Sequence, residues 1–363
     1  MIFSVRRISR VLIISTVVAF ATCVTCLAAV PEGTEDDYVI KNFRFKSGET
    51  LPELRVHYRT LGAPHRGSNG KVDNAVLIMH GTTGSGANFM RDIFAGELFG
   101  PGQPLDAAKF FLILPDGIGH GKSSKPSDGL HMKFPKYTYD DMVDVDHLLL
   151  TQSLKVDHLR LVMGTSMGGM HTWVWAERYP GFMDAAMPLA SLPVQIAGRN
   201  RMWRDLAMNA ITHDQGWNGG EYKQQPKGLG ITAGILQLMG GNPVIAQRRF
   251  PAREQVDAFI AKTEEDALQH DDANDFLYAL DASRDYDPSP DLEKITVPLL
   301  AINTYDDLIN PGELGILERE IKRVKRGRAI VIPLSDATVG HGSHTKALLW
   351  KSELEKLLAE TAK

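Results

Sequence analysis

Six short segments of almost uninterrupted apolar residues recur along this chain, with helical text between most of them. They are AVLIMHG (75–81), FFLILPDG (110–117), LRLVMG (159–164), FMDAAMPLA (182–190), VPLLAIN (297–303) and AIVIPL (329–334). A strand with one face in water alternates apolar and polar residues, whereas a run apolar throughout fits a strand covered on both faces. Helical candidates lie at 139–154, 167–178, 313–324 and 345–360. The alternation predicts an α/β fold: a mostly parallel central sheet with helices on both faces. Ahead of it, residues 38–61 alternate around a turn at Ser47-Gly48, which predicts an antiparallel hairpin at one sheet edge. Residues 192–290 break the pattern with helical text, glycines and no core strand. They are expected to form an inserted helical cap over the strand ends, dividing the core into residues 29–191 and 291–363.

The sharpest local signal is Gly164-Thr165-Ser166-Met167-Gly168, which closes the strand LRLVMG and opens the helical run MGGMHTWVWAERYP. A serine on such a turn is exposed at the sheet end, and glycines two residues to either side let strand and helix backbones approach. The free N–H groups at the helix start then face whatever reacts there. A hydroxyl nucleophile needs a base, and the base an orienting carboxylate, in the chain order Ser, acid, His. The acid should follow VPLLAIN, where Asp306 and Asp307 stand. The histidine should follow AIVIPL, where His341 and His344 stand. Asp306, the first acid after the strand, and His341, on a Gly-His-Gly turn, are the preferred pair. His344 is expected to cap the terminal helix or stand behind the site. An oxyanion needs two donors, assigned to the backbone N–H groups of Met167 and of Thr82 in the loop HGTTGSG.

With these residues in place the chain resembles the α/β-hydrolase fold superfamily. HGTTGSG is similar to its oxyanion loop, and Asp116-x-x-Gly119-x-Gly121-x-Ser123-x-x-Pro126 to a loop common among its hydrolases. GTSMGGM is similar to its elbow, DDLINP to its acid loop and GHGSH to its terminal motif. The resemblance also implies Asp306 and His341, and it runs from about residue 40 to the C-terminus. Within the superfamily, GTSMGGMHTWVWAERYPGFMDAAMPLAS and the hairpin text resemble the homoserine O-acetyltransferase-like branch. DGIGHGKSSKPS departs from that branch's Cys- and Gly-rich loop and has the hydrolase form. The expected activity is cleavage of carboxylic esters, with amides or lactones as further substrates. Acyl transfer in the manner of that branch and a non-catalytic binding role are the alternatives. In the cap, Met202, Trp203, Met208, Trp217, Leu236 and Met239 could line an acyl pocket, and Arg199, Arg201 and Arg204 could meet an acidic group.

The first 28 residues carry a basic start (Arg6, Arg7, Arg10), an apolar stretch and small residues before PEGTEDD, the order of a secretory signal peptide. Cleavage after Ala28 would send the protein to the periplasm or outside the cell; an uncleaved leader would be the one link to a membrane. Both cysteines, Cys23 and Cys26, fall in this leader, so the processed chain would hold none. A formal net charge of −4 argues against nucleic acid as a partner. The chemistry calls for no cofactor, and His341-x-x-His344 lacks a third metal ligand at a familiar spacing. The partner expected is a small ester-like substrate.

Overall fold

The computed structural model describes residue 30 and residues 32–362, so the leader expected over residues 1–28 lies outside the described residues. Eight strands form one sheet: β1 (Thr34–Arg44), β2 (Thr50–Leu61), β3 (Ala75–Met79), β4 (Phe111–Pro115), β5 (Leu161–Thr165), β6 (Ala186–Leu189), β7 (Leu299–Thr304) and β8 (Gly327–Ile332). Their order is β1-β2-β4-β3-β5-β6-β7-β8. β1 and β2 form the expected hairpin, and β2 pairs antiparallel with β4. From β4 to β8 every pairing is parallel. Every residue of β3, β4, β5, β6 and β7 is buried, as their unbroken apolar text requires.

The twofold period of a strand splits each one between two cores. Leu77, Met79, Ile113 and Val162 join Trp173, Trp175 and Tyr139 on one face of the sheet. Val76, Ile78, Leu112, Leu114, Leu161 and Met163 join Phe94, Phe99 and Trp350 on the other. The chain is thus the expected α/β fold, a mostly parallel sheet clothed on both sides.

The helices are α1 (Ala95–Leu98), α2 (Tyr139–Leu148), α3 (Met167–Arg178), α4 (Gly198–Thr212), α5 (Lys227–Gly240), α6 (Pro243–Arg249), α7 (Arg253–His270), α8 (Ala273–Asp281), α9 (Ile316–Glu320) and α10 (Lys351–Glu360). α2 begins at a reciprocal cap, in which Thr138 N donates to Asp141 Oδ2 at 2.9 Å and Asp141 N to Thr138 Oγ1 at 3.3 Å. It then widens into a π-helical turn over Leu149–Ser153. The helix expected over 313–324 is broken instead, because Gly315 enters the left-handed region (φ 57°) just before α9. The expected 345–360 helix starts late, after two short 3-10 turns within 342–349.

Five helices, α4 to α8, fall between β6 and β7. Ile211, Leu229, Ala267, Ala273 and Leu277 form one small core among them, and Trp203, Ala207, Met239 and Leu280 another.

Candidate active site

The turn between β5 and α3 forces Ser166 into φ 56°, ψ −112°, a conformation that a residue with a side chain rarely adopts. Close packing of glycine backbone holds it there. A Cβ on Gly168 would lie 2.0 Å from Met79 O, and one on Gly164 2.2 Å from Gly168 O. The turn is further tied by Ser166 N to Leu189 O and Gly168 N to His80 O, both at 2.9 Å. Ser166 Oγ is thereby presented at the carboxyl end of the sheet.

His341, on the loop after β8, stands beside it. Its Nε2 is 2.8 Å from Ser166 Oγ, and its Nδ1 is 2.7 Å from Asp307 Oδ2. A carboxylate can only accept, so Nδ1 carries the proton and Nε2 is left to take one from the serine. Asp307 has no exposed side-chain surface. Its Oδ1 accepts from Ile309 N at 2.8 Å and Asn310 N at 3.1 Å, and its Oδ2 from Asn310 Nδ2 at 3.1 Å. Burial alone would raise its pKa, but the charge and hydrogen bond of His341, with the Asn310 bonds, outweigh it and hold the carboxyl below the usual range.

The expected acid was Asp306, and the structure corrects this. Beyond β7 the chain folds into a turn in which Asp307 N donates to Thr304 O at 3.2 Å. That turn swings the second acid, not the first, back over the strand end. Asp306 Oδ2 instead accepts from Gly340 N at 2.9 Å and from Asn242 Nδ2 in the cap. It fastens the histidine loop to the cap. His344, the other candidate base, packs edge-on against the His341 ring at 5.0 Å, and burial drives its pKa down to about 3.

The loop after β3 lies against the serine: a Cβ on Gly81 would sit 3.4 Å from Ser166 Cβ. Among the described residues neither Thr82 N–H nor Met167 N–H has an acceptor, which leaves both free for a ligand oxygen. Two histidines that the motif reading passed over fix this loop. His80 Nε2 accepts from Gly117 N at 2.9 Å, so its proton sits on Nδ1, which donates to Gly81 O at 2.8 Å. Burial, then the neighbouring His120, pull its pKa down to about 3, so the ring is neutral. His120 Nε2 stands 2.7 Å from Thr82 O. The signal for both was their place in strand-end loops, His80 before Gly81 and His120 between two glycines.

Core and cap together enclose a cavity of about 370 Å³ containing Ser166 and His341, with Phe94, Trp203, Arg204 and Leu236 in its wall. Of the other cap residues expected there, Met239 packs behind Trp203, Met208 and Trp217 pack inside the cap, and Met202 is exposed. Arg201 pairs with Asp205 at 2.7 Å. Arg204 is buried, with Nε donating to Asn200 Oδ1 at 3.1 Å, Nη1 to Ser283 Oγ at 3.2 Å, and Cζ 4.7 Å from the Trp203 ring centre. No carboxylate pairs with it among the described residues. Nor does any group of His, Cys, Asp and Glu there have the arrangement to hold a metal ion.

Residues 74–232 match the family described as alpha/beta hydrolase fold. A homoserine O-acetyltransferase of Chloroherpeton thalassium is 31% identical over 294 residues, 73% of this chain and 74% of that one. Among solved structures, homoserine O-acetyltransferase from Bacillus anthracis superposes with a TM-score of 0.78 at 21% identity, covering 90% of this chain and 97% of the other. An acetylester hydrolase from Corynebacterium glutamicum superposes with a TM-score of 0.77 at 21% identity, covering 92% and 99%.

Proposed function

Because the chain belongs to the homoserine O-acetyltransferase-like branch of the α/β-hydrolase fold superfamily, we propose that it is a serine enzyme that takes an acyl group from an ester and passes it to an acceptor. The observation that carries this reading is the hydrogen-bonded series Ser166 Oγ, His341 Nε2, His341 Nδ1, Asp307 Oδ2.

In the first half-reaction Ser166 Oγ attacks the ester carbonyl carbon while its proton passes to His341 Nε2. The C=O electron pair moves onto oxygen, where the N–H groups of Thr82 and Met167 receive it. Asp307 stabilises the imidazolium without taking its proton. Collapse of the adduct breaks the carbon–oxygen bond to the leaving alcohol, which collects the proton from His341. An acceptor O–H then repeats the steps in reverse and frees Ser166. Arg204, a buried guanidinium lacking a carboxylate, supports a substrate that brings its own acidic group, since an uncompensated buried charge is costly.

The acceptor divides two readings. Water makes the protein an ester hydrolase, the reading favoured by the hydrolase form of residues 116–126 and by the secretory leader expected over residues 1–28, since an acetyl-coenzyme donor is scarce outside the cytoplasm. An alcohol makes it an acyltransferase, and the names of its relatives weigh towards this second reading. The test is turnover of p-nitrophenyl acetate alone and with homoserine, 4-hydroxybutyrate or 2-hydroxyglutarate, with products separated by chromatography. Free acetate alone in every case supports hydrolysis, and an O-acetylated acceptor supports transfer. Ser166→Ala should lower kcat by roughly 10⁶-fold and abolish labelling by a fluorophosphonate; a variant that still turns over at the native rate removes both readings.

A further inference from the structure

The wall of the cavity has a one-sided charge inventory. It contains Arg204 in its depth and Arg91, an exposed side chain, at its edge, and no aspartate or glutamate. Asp307, the nearest acid in the mechanism, is hidden behind His341. Among the described residues the Arg91 side chain makes no hydrogen bond, ion pair or ring contact, whereas Arg201 on the cap is paired with Asp205. Backbone bonds fix its Cα: Phe94 N and Ala95 N donate to Arg91 O at 2.9 and 2.8 Å. Two cations on a partly apolar wall focus a positive field into the cavity, although the chain as a whole is acidic.

We infer that this site takes a substrate with two acidic groups and no ammonium group, one acid held by Arg204 and the second by Arg91, which makes Arg91 the residue that sets specificity. The inference rests on the acyl-transfer reading above. An ammonium group would enter beside two guanidinium ions with no carboxylate to receive it, and like charges in a site of low dielectric repel strongly. A carboxylate at each arginine removes both problems, because a guanidinium offers paired donors matched to two carboxylate oxygens. Arg91 also differs from Arg204 in what it can do. It loses little hydration on binding and so contributes selectivity between substrates already anchored at Arg204.

The test compares kcat/KM for four acetyl esters: 2-acetoxyglutarate (two acids), 4-acetoxybutyrate (one acid), O-acetylhomoserine (one acid, one ammonium) and butyl acetate. The diacid should exceed the monoacid by about two- to fivefold, the worth of one exposed charge pair, and O-acetylhomoserine should fall below its des-amino analogue. Arg91→Gln should erase the diacid-to-monoacid ratio and Arg91→Lys should restore part of it. Preference for O-acetylhomoserine over 4-acetoxybutyrate, or a ratio unchanged in Arg91→Gln, overturns the inference. A second arm reads binding without turnover. In Ser166→Ala protein, 2-hydroxyglutarate should raise Tm more than 4-hydroxybutyrate, and adding Arg91→Gln should remove the difference. A Tm difference in protein whose native serine fails to react with a fluorophosphonate would sink the acyl-transfer reading and leave the diacid site standing; equal shifts for both acids would sink the site.

Discussion

Asp307 Oδ2 meets His341 Nδ1 at 2.7 Å, in a position fully closed to solvent. The contact fixes both the tautomer and the tilt of the ring, so the two adjacent acids should respond very differently to the same change. Asp307→Asn should reduce kcat for p-nitrophenyl acetate by about 10⁴-fold, since an amide at that place favours the wrong tautomer. Asp306→Asn keeps an acceptor for Gly340 N and should cost far less. Equal losses in the two variants would remove Asp307 from the orienting role.

The neutral ring of His80 clamps the carbonyl of the peptide whose N–H belongs to Thr82. Replacing it by alanine frees that peptide to rotate. His80→Ala should therefore lower kcat by about 10²-fold, the scale of one lost oxyanion donor, with KM little changed. His120→Ala, which releases Thr82 O, should act in the same sense. A change confined to KM would place both histidines outside the oxyanion loop's support.

Gly168 has no room for a methyl group, because Met79 O would be 2.0 Å from its Cβ. Relief requires moving α3 away from β3, and with it Ser166. Gly168→Ala should cost about 3 kcal/mol or more of stability, seen as a lower urea midpoint, and should lose activity at temperatures where it is still folded. A variant of native midpoint would show that the elbow tolerates a wider strand–helix spacing than its geometry implies.

Asp146 is buried beside His80 and His171 behind the elbow, and burial pushes its carboxyl up to about 8. In an open chain the same group titrates near about 4. Between those values the folded state keeps a proton that the unfolded state has released, so this residue drains stability as pH climbs from about 4 to about 8. The Tm difference between Asp146→Asn and the native protein should shift in favour of the variant over that interval and level off above it. A difference independent of pH would mean that Asp146 is ionised in the fold.

The fold was legible wherever local text dictates a backbone. Unbroken apolar runs cannot stay exposed, so the buried strands stood out, and the glycine spacing around Ser166 is required by atoms only a turn away. The acid could not be chosen in this manner. Asp306 and Asp307 have the same chemistry, and which one faces the histidine depends on the bond from Asp307 N to Thr304 O, a detail of turn geometry with no mark in the residue types. Arg204 was one of three cap arginines with equal claims. Its burial follows from the packing of α4 beside α8, just beyond whose end Ser283 comes within its reach. The helix over 313–324 failed for a simpler reason, a glycine at 315 in a conformation that ends one helical turn and begins another.

The cap leaves the sheet after β6 and returns to it at β7, and those two strands are neighbours. An excursion of that length between adjacent exits works as a socket. The chain can lengthen, shorten or exchange the plugged-in helices while the serine, histidine and aspartate, carried on other loops, keep their places. Catalytic competence and the share of substrate choice that Arg204 carries can thus change separately, while Arg91, on the loop after β3, stays with the catalytic core whatever helices are plugged in.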